Sequence, residues 1–541
     1  MSALKEKTPV SYPFSHMGEG QDEGIPVAIF LSRILAFQDS GNYQPFAGLI
    51  FEIRPVLAGK CSLTSRLEFV TTISGSTKIF NPMKPNALAT VLLVLGAATA
   101  QSQYIPSLPP QELSKPWTLS GDVRGFYDDN YRTLPGSSPS TTGTGVSHPA
   151  ASWGEDFTGL GSINHTTEDT SIGGSYIFDA RHYEKYDLLD YTHQAGAHFE
   201  HEFSTHFKLS ASDSFVDAQE PTIIDPGVIS DPFVVPGNNL RNTGRIDFTG
   251  TITKDFDLHL GYANTFYSYQ QTARSVIGYG FDTGNPDAGG ATYLARPSNS
   301  ALLDRMEQLA TVDLRWKATT QTTGVLGYQF GHTDYTAPEY IIFPYPPYNV
   351  GPGGPAAEQG FLSNIRNLDS HCAYLGVDEN FATNLTASLR AGAEYVDYYI
   401  FHDSRVSPYV DASIAYQYLP DDSARVGVKH VHNATDVVGE PGTLPVLDEQ
   451  TTAVFASESH TFSHKFDITF TGQYQHSEFV GGGPGFDGKG QDFFVAQVSF
   501  AYHFTPWLLA ETGYNYSRLK SDFAGREYAR DFGFLGLRTT W

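Results

Sequence analysis

The sequence predicts an all-β fold: a transmembrane antiparallel β-barrel of about 18 strands with short periplasmic turns and long extracellular loops. Three observations predict it: an export signal, apolar and polar residues that alternate along most of the chain, and connectors that alternate between short and long. A closed barrel pairs every strand edge, so it satisfies the backbone N–H and C=O groups that lipid leaves without partners. The fold class therefore follows from a pattern repeated along the chain.

A secretory signal lies at residues 83–100. Met83 and Lys84 give a basic start, an apolar run follows from Ala87, and the small residues up to Ala100 form a cleavage site before Gln101. We interpret residues 1–82 as a mis-assigned upstream extension, the alternative being a disordered or cytoplasmic leader. Residues 101–116 then form a periplasmic N-terminal segment, and residues 117–541 form the outer-membrane barrel.

Alternation with a period of two residues is the main strand signal. In 466–475, Phe466, Ile468, Phe470 and Tyr474 alternate with polar residues, and comparable runs occupy 385–395 and 493–504. One apolar face and one polar face predict a strand between lipid and an aqueous lumen. Strands are predicted to begin near residues 117, 153, 168, 189, 205, 238, 255, 301, 320, 362, 382, 405, 422, 447, 465, 489, 506 and 526.

The connectors between these strands differ in length in an alternating way. Tight turns are predicted at 204–206, 253–255, 318–320, 420–422 and 505–506, and long Gly/Pro-rich loops at 131–152, 218–237, 272–300 and 335–361. Bacterial barrels have short periplasmic turns and longer extracellular loops. The same parity puts both ends of the barrel domain on the periplasmic side. The proline-rich loop 335–361 either folds inward and narrows the lumen or lies on the surface.

Aromatic residues near strand ends predict interfacial belts. The chain ends on a strand whose outward residues Leu535, Leu537 and Trp541 have the pattern of a C-terminal signal for the barrel-assembly machinery. Amphipathic rings concentrate where a barrel meets the lipid headgroups. The predicted belt residues are Tyr262, Tyr269, Tyr418, Tyr474, Tyr502, Trp507 and Tyr516.

Composition excludes several functions. The chain carries a net charge of −25 and 2 cysteines, of which only Cys372 follows the cleavage site. Nucleic acid is excluded as a partner because binding it requires clustered positive charge. A single cysteine gives neither a disulfide framework nor a cysteine-based zinc site.

Charged residues of both signs are predicted on the lumen face. Rings of opposite charge inside a wide barrel create a field that filters solutes. The alternative is that these groups only satisfy one another. The pore-lining candidates are Arg245, Asp247, Asp313, Arg315, Arg390, Glu394, Asp467, Glu511 and Arg538.

Several short segments resemble the β-barrel porin 2 family of outer-membrane proteins. They are 121–130, 212–216, 261–267, 327–331, 407–411 and 513–516, and the resemblance extends over 117–541. It implies an outer-membrane barrel and a pore, and it brings no defined substrate and no catalytic residues. A link of some relatives to exopolysaccharide export keeps that role open.

We expect no cofactor, no metal and no enzymatic activity. His193, His198, His201 and His206 lie on one predicted hairpin, but strand alternation sends them to different faces. The run 482–487 matches only half of a calcium-binding repeat. Asp128, Asp129 and Asn130 fit ordinary turn chemistry, and no nucleophile or metalloprotease motif is present.

The sequence therefore predicts an outer-membrane channel through which small hydrophilic solutes diffuse passively. The alternative is a non-conducting surface or structural barrel, or one associated with exopolysaccharide export. The lumen-facing residues of the predicted strands are mostly small and polar, which favours an open lumen. Membrane lipid, the assembly machinery and the solutes are the expected partners, and the pattern leaves the oligomeric state open.

Overall fold

The computed structural model describes residues 116–131, 133, 151–218, 238–272, 297–342, 360–420, 422–439, 443–463, 465–523 and 526–541. The predicted leader 1–82, the predicted signal 83–100 and residues 101–115 of the predicted N-terminal segment lie outside the described residues. So do most of the residues in the four long loops predicted from sequence. Among the residues that the structure describes, no helix has the length and apolar character needed to cross a bilayer.

Eighteen strands form one antiparallel sheet that closes on itself. The first nine are β1 (Trp117–Asp128), β2 (Ser152–Thr166), β3 (Thr170–Tyr183), β4 (Leu188–Ser204), β5 (Phe207–Ala218), β6 (Asn239–Thr253), β7 (Phe256–Tyr269), β8 (Arg305–Lys317) and β9 (Thr322–Tyr335). A short hairpin, β10 (Tyr340–Ile342) and β11 (Phe361–Leu362), forms a separate small sheet. The other barrel strands are β12 (Leu368–Ala382), β13 (Leu385–Tyr398), β14 (Asp403–Leu419), β15 (Asp422–Asn433), β16 (Val446–Ser463), β17 (Phe466–Gly481), β18 (Gly490–Thr505), β19 (Leu508–Ser521) and β20 (Tyr528–Thr540).

Closure of the barrel depends on pairing between the first and the last strand. Each barrel strand pairs with the next along the chain, β9 pairs with β12, and β1 pairs with β20 from Ser120↔Thr540 to Asp128↔Phe532. No barrel strand is left with an open edge. The predicted fold class, including the strand number, is confirmed.

Connector lengths divide the barrel into a tight-turn end and a loop end. Eight turns of two to four residues join β2–β3, β4–β5, β6–β7, β8–β9, β12–β13, β14–β15, β16–β17 and β18–β19. The loop-end connectors are longer, except 184–187 and 399–402, which have only four residues each. The predicted alternation of short and long connectors is wrong at these two places. Asp187 and His402 adopt positive φ there, which reverses the chain within four residues.

The two faces of the wall differ as the alternation predicts. On β1, Leu119, Val123 and Tyr127 are exposed on the outer face, whereas Asp122 and Arg124 are buried on the inner face. The same division recurs around the barrel, so a belt of apolar side chains surrounds the outside. An apolar belt on a closed sheet is the arrangement that a bilayer requires.

Aromatic side chains border this belt at both ends. Trp117, Trp316, Trp507 and Trp541 are exposed at the tight-turn end. Towards the loop end, outward tyrosines donate or accept hydrogen bonds across strands, as between the Tyr176 hydroxyl and His193 Nδ1 at 2.7 Å. Tyr328 with His371 and Tyr474 with Asp492 repeat the pattern at 2.7 and 2.6 Å. We call this second border the tyrosine belt.

One predicted belt residue is wrong. Tyr269 lies on the inner face of β7 and is almost fully buried, because a short helix, α1 (Asn299–Leu303), packs on it. This helix also explains why β8 begins at Arg305 rather than near 301. A 3₁₀ turn (Ser363–Arg366) likewise delays β12 from the predicted 362 to Leu368.

Candidate solute pathway in the barrel interior

Half-exposed charged side chains occupy the inner wall of β6 to β8. Arg245 on β6 donates two hydrogen bonds to Asp247, from Nε to Oδ2 at 2.5 Å and to Oδ1 at 2.8 Å. The side chain of Arg245 is 40% exposed and that of Asp247 is 18% exposed. Because the pair lies inside a closed sheet, this exposure is to the lumen.

A histidine links this pair to the next predicted residues. His259 Nε2 lies 3.1 Å from Asp247 Oδ1, and its Nδ1 lies 3.7 Å from Asp313 Oδ2. Tyr374 on β12 donates to Asp313 Oδ1 at 2.5 Å, and the guanidinium of Arg315 lies 4.0 Å from Asp313. The structure thus brings four of the nine pore-lining candidates into one chain of ionisable groups.

Charged pairs extend the wall on both sides of this chain. On β5 and β4, Lys208 Nζ lies 2.6 Å from Glu200 Oε1; sequence reasoning missed Lys208. On β12 and β13, Arg390 lies 2.8 Å from Asp378, and Glu394 is half-buried four residues further along β13. Alternation marks Lys208 as inward, since Phe207 and Leu209 point outwards on the same strand.

Hydroxyl groups and further charged groups share the inner wall from β13 to β18. Asp467 on β17 pairs with His503 on β18 at 2.7 Å, and both side chains are about one-third exposed. Ser388 and Ser413 lie 3.1 Å apart, and Thr469 contacts Ser499. We call the ionisable pairs on β4–β8, β12 and β13 the charged wall; further charged side chains, such as Asp467 and Arg425, face the lumen from other strands.

Glu511 and Arg538 belong to a different, buried group. Arg538 lies 2.6 Å from Glu511 Oε2, and Arg124 Nε donates to Glu511 Oε1 at 2.6 Å. The Arg124 guanidinium also bonds Asp122, and it lies 3.8 Å from Asp156. We call these five residues the closure network, because they join β19, β20, β1 and β2. Their side chains are almost fully buried, so they offer little surface to a solute.

At the loop end, a buried arginine ties three connectors together. Arg366 donates to the carbonyl oxygens of Val446 and Thr435 at 2.9 Å, of Val437 at 2.5 Å and of Leu302 at 3.4 Å. Burial lowers the pKa of this guanidinium below its ordinary value. The four carbonyls come from α1, from the connector 434–445 and from the start of β16.

Two further contacts fix these segments over the lumen. Arg526, in the β19–β20 connector, pairs with Asp436 at 2.6 Å. Asp304, which follows α1, accepts a hydrogen bond from the Tyr269 backbone N–H at 2.6 Å. Burial raises the pKa of Asp304 to about 6. Residues 435–437 are therefore held from both sides, and these connectors pack over part of the inner wall at the loop end.

A serine, a histidine and an aspartate meet within this closed region. His432 Nε2 lies 2.8 Å from Ser407 Oγ, and His432 Nδ1 lies 2.8 Å from Asp448 Oδ2, with Tyr398 also donating to Asp448. The order matches that of serine hydrolases. Ser407, however, is only 3% exposed, so a substrate has no access to its hydroxyl.

We therefore expect Ser407 to be unreactive. A fluorophosphonate probe should leave the folded protein unlabelled, because the hydroxyl is covered and already hydrogen-bonded. The measurement is intact-mass spectrometry of the treated protein, with Ser407→Ala as the control for labelling elsewhere. A mass shift that Ser407→Ala removes would instead identify a hydrolase.

The groups considered for metal binding are otherwise engaged. Asp128 pairs with Arg530, and Asp487 accepts the backbone N–H of Gly481 at 3.0 Å. His193 points outwards to Tyr176, and His206 lies in the turn 205–206, within the tight turn predicted at 204–206. No cluster of three metal-binding side chains occurs within the described ranges.

A closed 18-stranded sheet with an apolar outer belt decides the class of protein. The chain is a transmembrane β-barrel of the outer-membrane type. No protein-family profile matches it, and no curated protein matches it. Among solved structures it is similar to the outer membrane protein opdK from Pseudomonas aeruginosa, at 9% identity and a TM-score of 0.37, covering 79% of this chain and 99% of that one.

Two other solved structures are similar over most of the barrel. One is OccAB4 from Acinetobacter baumannii, with 9% identity, a TM-score of 0.34, and coverage of 79% of this chain and 99% of that chain. The other is the FrpB iron transporter from Neisseria meningitidis, with 11% identity, a TM-score of 0.34, and coverage of 76% and 63%.

Proposed function

We propose that this protein is an outer-membrane channel for the passive diffusion of small hydrophilic solutes. The observation that carries the proposal is the half-exposed charged wall inside a closed barrel. Charged side chains on an inner wall remain exposed only where water reaches them. An aqueous lumen lined with both signs of charge admits polar solutes down their concentration gradient without a cofactor.

The route follows the charged wall. Arg245, Asp247 and Arg315 on β6 and β8, with Arg390 on β13, border it on one side, and Asp467 borders it on the other. Among the described residues, the loop-end contacts around Arg366 cover the inner wall between β7 and β16. The resemblance of the sequence to the β-barrel porin 2 family supports the same assignment.

Single-channel recording tests the proposal. Protein purified from outer membranes should give discrete, reproducible conductance steps in a planar bilayer. Heat-modifiable migration in gels provides the control for a folded barrel. A folded barrel without steps would exclude the channel and favour the non-conducting surface or export-associated barrel.

Removing cations from the charged wall should change ion selectivity. Arg245→Ala with Arg315→Ala is expected to raise the cation-to-anion permeability ratio about twofold, since each half-exposed charge contributes a fraction of a kcal/mol. The reversal potential in a salt gradient measures the ratio. Arg518→Ala provides the matched control, because Arg518 is exposed on the outer face of β19. An equal shift in both variants would contradict the proposed route.

We also propose that the assembly machinery recognises the outer face of β20. Leu535, Leu537 and Trp541 are exposed there, and the backbone of Trp541 pairs with Leu119 at 2.9 and 3.2 Å. Trp541→Ala keeps those backbone bonds, so we expect a severalfold lower yield in the outer membrane with unchanged refolding in detergent. Trp507→Ala, in the same aromatic border, controls for general loss of belt contacts. Equal losses in the two variants would exclude a specific signal.

A further inference from the structure

A gap separates two potential metal ligands in the chain of ionisable groups on the inner wall. His259 Nδ1 faces Asp313 Oδ2 at 3.7 Å, which is too long for a hydrogen bond. Nδ1 is buried and has no hydrogen-bond partner. Strand register places the two residues directly opposite each other on β7 and β8. An unpartnered ring nitrogen is therefore directed at a carboxylate oxygen across this gap.

Each of the two groups is held by a hydrogen bond on its far side. His259 Nε2 lies 3.1 Å from Asp247 Oδ1, so this carboxylate accepts the Nε2 proton and leaves the lone pair on Nδ1. The Tyr374 hydroxyl donates to Asp313 Oδ1 at 2.5 Å and leaves Oδ2 facing the ring. Metal-bound histidines are commonly oriented by a carboxylate in this way, and ligating carboxylates are themselves hydrogen-bonded. Both facing atoms are thus oriented as ligands.

Two glycines make room for the groups that orient these ligands. A Cβ at position 261 would lie 2.9 Å from Asp247 Oδ1. A Cβ at position 327 would lie 2.2 Å from the Tyr374 ring and 2.6 Å from Asp313 Oδ1. A larger residue at either position would push these side chains away from their hydrogen bonds.

We propose that His259 and Asp313 bind a divalent transition-metal ion, of the class that includes Zn²⁺ and Ni²⁺. An ion about 2.1 Å from both facing atoms would be bound at an angle of about 120°, which suits a tetrahedral site. A bridging water about 2.8 Å from each atom would have its two hydrogen bonds compressed to about 80°. An imidazole nitrogen with a carboxylate oxygen favours such ions over Mg²⁺ and Ca²⁺, which prefer oxygen ligands alone.

Two protein ligands make this an exchangeable site. Structural zinc sites have four protein ligands, whereas water occupies the open positions of sites with fewer. The part of the chain that the structure describes contains no cluster of three metal-binding side chains, so water from the lumen would complete the coordination. We therefore expect saturable binding that is weaker than in a structural zinc site.

Arg315 competes with the ion for Asp313. Its guanidinium lies 4.0 Å from the same Oδ2, its Nε has no hydrogen-bond partner, and its side chain is 36% exposed. So long a contact from a half-exposed side chain contributes little, so the arginine can turn into the lumen when an ion binds. Arg315→Ala should consequently strengthen metal binding, by about threefold to fivefold.

Isothermal titration with ZnCl₂ tests the site directly. The protein is purified from outer membranes in detergent, without a polyhistidine tag, and is freed of metal with EDTA. We expect one Zn²⁺ per chain and no binding of Mg²⁺ at the same concentration. His259→Gln keeps an amide that can donate to Asp247 and should weaken zinc binding by about tenfold or more, since loss even of a group behind a metal ligand costs that much.

His198→Gln is the matched control. His198 also faces the lumen, in the row of Arg245, and it is exposed. Its loss should leave zinc affinity unchanged. If His259→Gln does not give the heat-modifiable folded band, Asp313→Asn removes the charged ligand while its amide oxygen can still accept the Tyr374 hydroxyl.

Three results would overturn the proposal. An unmodified protein that binds no zinc would show that the pair holds only a proton or water. Equal losses in His259→Gln and His198→Gln would indicate binding to histidines in general. Unchanged affinity in Arg315→Ala would exclude a position beside Asp313 Oδ2.

The titration does not require a conducting pore, so its outcome is independent of the proposed function. A consequence for conduction does rest on that function: the bound ion adds positive charge to the charged wall. Zinc should then lower the cation-to-anion permeability ratio of the unmodified channel and leave that of His259→Gln unchanged. A barrel that binds zinc but gives no conductance steps would exclude the channel and keep the metal site.

Discussion

Replacing Arg366 with methionine is expected to raise the single-channel conductance severalfold. The side chain is fully buried and donates to four backbone carbonyls, one in α1, two in the connector 434–445 and one at the start of β16. Methionine fills a similar volume but donates nothing, so these carbonyls lose a shared partner at a cost of about 1–3 kcal/mol for each buried group. Connectors that lose these hydrogen bonds should leave the inner wall, and the lumen that they cover should open.

The barrel itself should survive this change. Its strands are held by the continuous antiparallel ladder, to which the Arg366 side chain does not contribute. Arg425→Met is the matched control, since Arg425 is also an inward arginine but is exposed and stacks over Phe455 at 5.3 Å. Unchanged conductance in Arg366→Met, with the folded band retained in gels, would show that the connectors do not limit the pore.

Replacing Arg124 with methionine is expected to destabilise the barrel by about 3–5 kcal/mol, the usual cost of removing one partner of a buried ion pair. Arg124 is central to the closure network and also stacks over Phe534 at 5.0 Å. Without it, Asp122, Asp156 and Glu511 remain buried close together with less positive charge. The midpoint of urea unfolding, followed by tryptophan fluorescence, measures the loss.

Two further variants test whether the loss in Arg124→Met comes from buried, unpaired charge. Arg124→Met combined with Glu511→Gln removes one of the stranded carboxylates and should recover part of the lost stability. Arg245→Met removes an inward arginine that is 40% exposed, and should cost less than about 1 kcal/mol. A similar loss in Arg124→Met and Arg245→Met would contradict the importance of burial.

Much of the fold was predictable because a barrel is encoded locally. Each strand shows its own alternation, and each tight turn follows from a few adjacent residues. Most predicted strand starts fall within three residues of the observed ones. The larger errors, at β8 and β12, occur where α1 and the 3₁₀ turn fold against the inner wall.

The depth of a side chain inside the barrel was not predictable. Alternation identifies Arg245 and Arg538 equally as inward, yet one is half-exposed and the other is buried in the closure network. Arg366, Ser407 and His432 were missed as a group, because their partners lie on connectors or strands distant in sequence. Alternation predicts whether a side chain points to the lumen or to the lipid. It carries no information on which connectors or side chains cover that side chain.

The pairing of β1 with β20 has a consequence for biogenesis. The hydroxyls of Ser120 and Thr540 hydrogen-bond at 2.9 Å across 420 residues of chain. The first strand, β1, therefore lacks its second partner, β20, until the end of the chain has been synthesised and exported. Contacts so distant in sequence form slowly. Until β20 pairs with β1, the growing sheet keeps open edges that invite aggregation. A chain truncated before β20 would consequently form an unclosed sheet instead of a narrower barrel. The yield of folded protein therefore depends on keeping each chain apart from its copies until the barrel closes.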